Sequence, residues 1–271
     1  MKKFKKWFRK NLKWMMLGLV IIAVIFSIYT IEFQYKDPTV YDYSETINNC
    51  CTINYDEESL EYSSMEELLE NIPEDSGSKY IIINYNIPFF DNEDKKLKEP
   101  FIELSELDVF NRSGTAFGLL NRSLLPENER SEDLSVIKPS GFMQVNVKEK
   151  YNVSFMNEGK EYYYLYQRCH LIAYSLGGPE VDERDIFTGT FSTNMSMQTY
   201  EKAVSSFLYR YPNDNVLYRV TPVYKNNNLL CSGVLMEGYS KNHNLSFCVY
   251  IFNNEENFRL NYSNGASFYT K

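Results

Sequence analysis

Between residues 161 and 209 the chain runs through β-rich, broken, β-rich and amphipathic stretches in that order, and this succession restricts the fold more than any bulk property does. Glu161 to Gln167 (EYYYLYQ) is dense in aromatic residues suited to a pleated, half-buried surface. Gly177-Gly178-Pro179 interrupts the chain, and Asp185 to Thr190 (DIFTGT) reads as a second strand. From Ser196 to Tyr209 the apolar residues Tyr200, Ala203, Val204, Phe207 and Leu208 recur at helical spacing, and Pro212 closes the run. The order strand, loop, strand, helix is therefore expected here.

Around this unit the sequence predicts mostly antiparallel sheet. Val216–Tyr224, Leu229–Met236 and Ser246–Phe252 are β-rich, with Lys225-Asn-Asn-Asn228 as a turn, and Phe258–Tyr262 is the last strand signal. On the N-terminal side, Ser64-Met-Glu-Glu67 has a capping-box pattern and predicts a short helix over 64–71, followed by a first strand at 79–85. Residues 111–142 hold Gly114, Gly118, Pro126, Pro139 and Gly141 with Arg112, Arg122, Arg130 and Lys138 interspersed, and read as a loop-rich wall carrying cations. The expected class is α+β with a central antiparallel sheet.

Charge and hydropathy divide the chain. Seven of its 28 basic residues precede residue 14, leaving 21 basic against 36 acidic side chains, a net of −15. That balance opposes a general polyanion-binding surface, so any nucleic-acid contact needs a local basic cleft. Residues 14–31 (WMMLGLVIIAVIFSIYTI) carry no charge and at about 1.5 Å per residue span roughly 27 Å as a helix, enough for a bilayer core. The cations before them place the N-terminus in the cytoplasm. The expected organisation is a basic cytoplasmic segment at 1–13, a transmembrane helix at 14–31, a stalk at 32–61 and an extracytoplasmic domain at 62–271. A cleaved signal peptide, giving a secreted form, is the alternative. Of Cys50, Cys51, Cys169, Cys231 and Cys248, the pair Cys231 and Cys248 suits a disulfide or two buried thiols, and no spacing suits a zinc site.

Of the two histidines, His243 lies in the polar turn Lys241-Asn-His-Asn244 and reads as exposed and inert. His170 ends the expected first strand of the unit, after Arg168. Asn194 stands just before the expected helix, and Glu201 follows seven residues later, about two helical turns on. These groups suit phosphodiester hydrolysis. An imidazole takes a proton from water near neutral pH, and an amide oxygen such as that of Asn194 holds a hard, hydrated cation such as Mg²⁺, with Mn²⁺ as a substitute. Glu201 would order the metal's waters, Arg168 would meet a phosphate, and the helix N-terminus near Asn194 would favour an anion.

The stretch Tyr166-Gln-Arg-Cys-His-Leu-Ile-Ala-Tyr-Ser-Leu176 resembles the signature of the DNA/RNA nonspecific endonucleases, whose usual form is Asp-Arg-Gly-His. Lys138–Phe142, Phe187–Thr190 with Asn194, Tyr200-Glu201, Tyr218–Pro222, Gly233–Glu237 and Asn261–Gly265 extend the similarity to streptococcal-type extracellular nucleases over roughly residues 75–267. The resemblance implies a ββα-metal core. It implies His170 as general base, Asn194 as the direct Mg²⁺ ligand, Glu201 supporting the metal waters and Arg168 in the active-site motif. DNA and RNA would be the substrates, held through their phosphate backbones. Four positions depart from the pattern: Gln167 for Asp, Cys169 for Gly, Asp185 for Asn, and Phe191 where relatives often carry Arg. They motivate an alternative, a weakened nuclease fold that binds nucleic acid or a protein partner at the cell surface. A purely structural envelope protein is a third reading.

Overall fold

The computed structural model describes residues 59–75 and 77–271, all within one compact unit. The expected basic segment, membrane helix and most of the stalk, with Cys50 and Cys51, lie outside the described residues. Among the described residues no helix is long and apolar enough to cross a membrane.

The architecture is α+β. A seven-stranded sheet takes the order β1 (Ser59–Leu60), β2 (Tyr80–Ile83), β11 (Ser246–Phe252), β10 (Gly233–Tyr239), β9 (Asn215–Val223), β4 (Ala116–Asn121), β3 (Phe101–Leu104). Every pairing is antiparallel except β1 with β2, so the sheet is mixed rather than purely antiparallel. Both faces of its centre are buried, which is why Ser-Phe-Cys-Val-Tyr-Ile-Phe in β11 reads as a continuous apolar run. The period of two sorts that run: Phe247, Val249 and Ile251 join one core cluster, and Cys248, Tyr250 and Phe252 the other.

The larger cluster is covered by α3 (Phe191–Arg210) through Met197, Tyr200, Val204, Phe207 and Leu208. The smaller is covered by α1 (Met65–Glu70), whose Leu68 is fully buried. Ser64 caps α1 by accepting from the Glu67 N–H, and the Glu67 carboxylate reaches back to the Ser63 N–H at 2.7 Å, one residue earlier than a standard capping box.

Two expectations about elements need correction. Ala116–Asn121 is a mostly buried strand inside the region read as loop. Gly118 hides it from a sequence reading, yet a Cβ there would stand 2.7 Å from the Phe101 carbonyl oxygen on the neighbouring strand. The β-rich run 161–167 is two strands, β6 (Lys160–Tyr162) and β7 (Tyr166–His170). Between them the Tyr163 carbonyl and the Leu165 N–H pair with residues 147 and 145, at the start of α2 (Val147–Tyr151). β6 forms a hairpin with β5 (Phe155–Asn157). The chain ends in the hairpin of β12 (Phe258–Leu260) and β13 (Ser267–Tyr269).

Cys169, Cys231 and Cys248 are buried free thiols, so the pairing of Cys231 with Cys248 does not occur. The register sends their side chains into different clusters, Cys231 with the α3 core and Cys248 with the α1 core.

Candidate active site

The expected strand, loop, strand, helix unit is present. β7 pairs antiparallel with β8 (Ile186–Thr190), from Tyr166 opposite Thr190 to His170 opposite Ile186, and α3 begins at the next residue. The helix packs against both strands and the central sheet. Its start is tied to the Tyr166 end of the hairpin, where the Phe191 N–H donates to the Leu165 carbonyl at 2.9 Å. Its second turn onward runs toward the His170 end, since the Glu201 charge acts on Cys169 and on Asp185, next to Ile186.

α3 begins five residues earlier than the helical periodicity indicates. Asn194 therefore lies inside its first turn, not ahead of it. Seven residues separate Asn194 and Glu201, which puts them on one face about 10 Å apart along the axis. The structure thus stands Asn194 in the first turn of α3 and Glu201 two turns further on, where its charge acts on Cys169, the core-facing neighbour of His170.

His170 is half-buried, and its Nε2 is enclosed without a hydrogen-bond partner. Burial, followed by the charge of Arg130, lowers its pKa to about 4. Glu201 is half-buried by surface area, but its carboxyl is closely surrounded, and that desolvation raises its pKa to about 8 against the pull of Lys202. No partner holds the Asn194 carboxamide among the described residues, and it keeps partial exposure.

Arg168 and His170 are two residues apart in β7 and share a face. The Arg168 guanidinium is turned to the loop above: Nε donates to the Ile137 carbonyl at 2.6 Å, a terminal nitrogen to that of Ser135 at 3.2 Å, and the group lies 4.4 Å over the Phe142 ring. It braces that loop over β7. Arg130, one of the scattered cations of 111–142, is the one whose charge reaches His170. Nothing but its place in a loop rich in cations could have singled it out in the sequence.

The four departures acquire physical explanations. Cys169 alternates to the core side of β7, and its Sγ fills space left by Gly189: a Cβ at 189 would stand 2.5 Å from it. Asp185 is fully buried; Oδ1 accepts from the Ile172 N–H at 2.9 Å and its carbonyl from the Leu171 N–H at 2.7 Å, so it holds the chain just after His170. Burial, with the charges of Asp182 and Glu201, pushes its carboxyl well above the usual range, against the pull of the Ile172 and Leu171 N–H groups. Phe191 is buried and stacks on Phe155 of β5 at 5.0 Å. Gln167 donates to the Tyr164 carbonyl at 2.9 Å.

The expectation that the helix N-terminus receives an anion is not met. The Phe191, Ser192 and Thr193 N–H groups donate to the Leu165 carbonyl, the Glu255 carboxylate and the Thr190 hydroxyl. With these donors taken and a carboxylate beside them, this end offers nothing to a phosphate. His243 is exposed as expected but not idle: Nδ1 lies 2.7 Å from Asp214 Oδ2, and its ring stacks on Tyr211 at 3.7 Å.

The donor set fits a hydrated divalent ion. Among the described residues no three His, Cys, Asp or Glu side chains form a metal cage, which is what a zinc site built from protein ligands would need. One free amide oxygen leaves most positions to water, as Mg²⁺ prefers.

Comparison with known proteins decides the family. Residues 103–242 match the DNA/RNA non-specific endonucleases. The chain belongs to that family. The endonuclease match takes in β7, β8 and α3, and so all four residues singled out from sequence. A deoxyribonuclease of Streptococcus dysgalactiae subsp. equisimilis is 26% identical over 204 residues, 64% of this chain and 62% of the relative, so the chain spans under two thirds of that protein. The Sda1 nuclease, solved with a bound zinc ion, is 25% identical with a TM-score of 0.52, over 62% of this chain and 81% of Sda1. NucA from Streptococcus agalactiae, solved with magnesium bound, shares the fold with a TM-score of 0.54 at 24% identity, over 64% of this chain and 80% of NucA.

Proposed function

We propose that this chain is a divalent-metal-dependent, sequence-nonspecific endonuclease that hydrolyses DNA and RNA, with His170 as general base. The observation that carries this reading is the enclosed, partnerless Nε2 of His170 at the end of a braced hairpin, beside the helix that carries Asn194 and Glu201. Family membership and the nuclease relatives support it.

Asn194 would hold the cation and Glu201 would order its water shell; when bound, the cation neutralises charge on the phosphoryl and leaving oxygens. His170 is neutral from about pH 4 upward and so is free to accept a proton from water. Such a low pKa makes a weak base. An incoming phosphate places negative charge beside the ring and raises its basicity when substrate is present. Arg130 is the cation placed to meet that phosphate, and Arg168 acts by holding the 135–142 loop. Contacts to backbone alone carry no direct sequence information, hence the lack of sequence preference. The products carry 5′-phosphate ends, which end-labelling checks.

The decisive experiment compares the wild-type chain with His170→Ala on plasmid DNA and on RNA with Mg²⁺ and Mn²⁺. Cleavage of both nucleic acids, reduced on the order of 10²–10⁴-fold by the substitution, is expected. A parent chain that leaves both intact but binds them in a salt-sensitive way would instead establish the binding module. That second reading draws on the net of −15 after residue 13 and on the occupied helix N-terminus. From sequence alone, residues 14–31 are proposed as a membrane anchor holding the domain outside the cell, which membrane fractionation with protease accessibility tests.

A further inference from the structure

The first turn of α3 is gripped from outside its own hairpin by three consecutive residues that follow β11. Asn253, fully buried, accepts from the Thr190 N–H at 3.0 Å and the Thr193 hydroxyl at 3.2 Å. Its amide nitrogen donates to the Thr188 and Cys231 carbonyls at 3.0 and 3.1 Å. The Asn254 carbonyl accepts from the Thr190 hydroxyl. Glu255, buried, accepts from the Ser192 N–H at 2.8 Å and the Ser192 hydroxyl at 2.6 Å.

This is more than the helix needs for its own stability. Thr190 already caps it through the Thr193 N–H at 3.1 Å. Burying an acidic group at the same end is costly: desolvation pushes the Glu255 carboxyl up, offset by the two Ser192 donors and the charge of Lys79. The grip falls on Ser192, two residues before Asn194 in the same helical turn, and the Asn194 carboxamide has no partner of its own among the described residues. Residues 253–255 also lie beyond the family match, which ends at 242.

We propose that Glu255 is a positioning residue, which aims the Asn194 carboxamide at a divalent cation by fixing Ser192. The inference rests on the reading of Asn194 as the cation-holding group. Removing an outer partner of a metal-holding residue commonly weakens affinity about 10-fold or more.

The test is Mn²⁺ affinity of the full chain, read from the electron paramagnetic resonance of free Mn²⁺, with thermal unfolding recorded for each variant. Asn194→Ala is expected to lose binding. Glu255→Ala and Ser192→Ala are expected to bind roughly 10-fold more weakly while still unfolding cooperatively. Glu255→Gln, which keeps an acceptor for the Ser192 N–H, is expected to recover most of that loss. Wild-type affinity in both Glu255→Ala and Ser192→Ala, with binding lost in Asn194→Ala, overturns the positioning role and leaves the ligand reading standing. Wild-type affinity in Asn194→Ala overturns the ligand reading and the inference with it. A Glu255→Gln variant as weak as Glu255→Ala shows that charge rather than placement matters, and also overturns it. Should Glu255→Ala fail to fold, Ser192→Ala and Glu255→Gln decide alone.

Discussion

His170 sits where an imidazole is hard to charge. Its folded pKa of about 4 lies below the ordinary value of 6.5, so the unfolded chain takes up a proton first as the pH falls. The stability associated with the neutral ring is complete above about pH 6.5 and is lost between there and pH 4. The loss is on the order of 2–3 kcal/mol, because a half-buried ring is partly screened. Urea denaturation at pH 7 and pH 4.5 should show wild type losing more than His170→Asn; equal losses would place the ring in an ordinary aqueous environment. Glu201 behaves with the opposite sign. Its pKa of about 8 lies above the usual 4.5, so its favourable neutral form is lost as the pH rises through 8. In metal-free buffer Glu201→Gln should therefore gain stability relative to wild type on going from pH 5 to pH 9. A wild type that matches the variant at both pH values would argue against the buried carboxyl.

At the scale of elements, the hairpin and the sheet carry two complementary pairs. Gly189 of β8 makes room for the Cys169 thiol of β7. Gly189→Ala should destabilise by about 1–3 kcal/mol through overpacking. Cys169→Gly, which frees the space, should relieve part of that cost. Urea unfolding of the two single variants and the double variant measures the coupling, and strictly additive effects would show that the two positions do not share space. Across β9 and β10, Arg219 and Glu237 are register partners joined by two hydrogen bonds at 2.6 and 3.0 Å, and Glu237 is fully buried. Glu237 also accepts from the Phe89 N–H at 2.8 Å. Glu237→Ala leaves a guanidinium without its partner and an amide without its acceptor, and should cost roughly 3–5 kcal/mol in thermal or denaturant unfolding.

Over the whole molecule, the proposed function requires an acidic domain to bind a polyanion through few cations. Arg112 is engaged with Asp108, Arg184 with Asp182 and Glu106, and Arg219 with Glu237. Arg130 is exposed, and its charge reaches His170. Arg130→Ala should raise KM for DNA severalfold with kcat little changed, and reduce the salt dependence of binding by about one ion. An unchanged salt slope would show that Arg130 does not meet a phosphate.

How much of this was readable in advance follows the range of the forces involved. Residue type and periodicity act over a few neighbours, so the sequence by itself determined the ββα order, the capped helix after Ser64 and the central strands, and it nominated the four candidate residues. Helical periodicity located α3 but missed its first five residues, because Phe191 to Met195 are stabilised by Leu165, Asn253 and Glu255 rather than by an apolar stripe. Gly118 reads locally as a breaker and is in fact required by the close approach of Phe101 on the paired strand β3. Only the tertiary structure decided that Arg168 braces a loop, that Cys231 and Cys248 stay apart, and that a carboxylate closes the helix N-terminus to anions. Each of these depends on a partner brought near by packing, and no local preference of the chain encodes which partner that is.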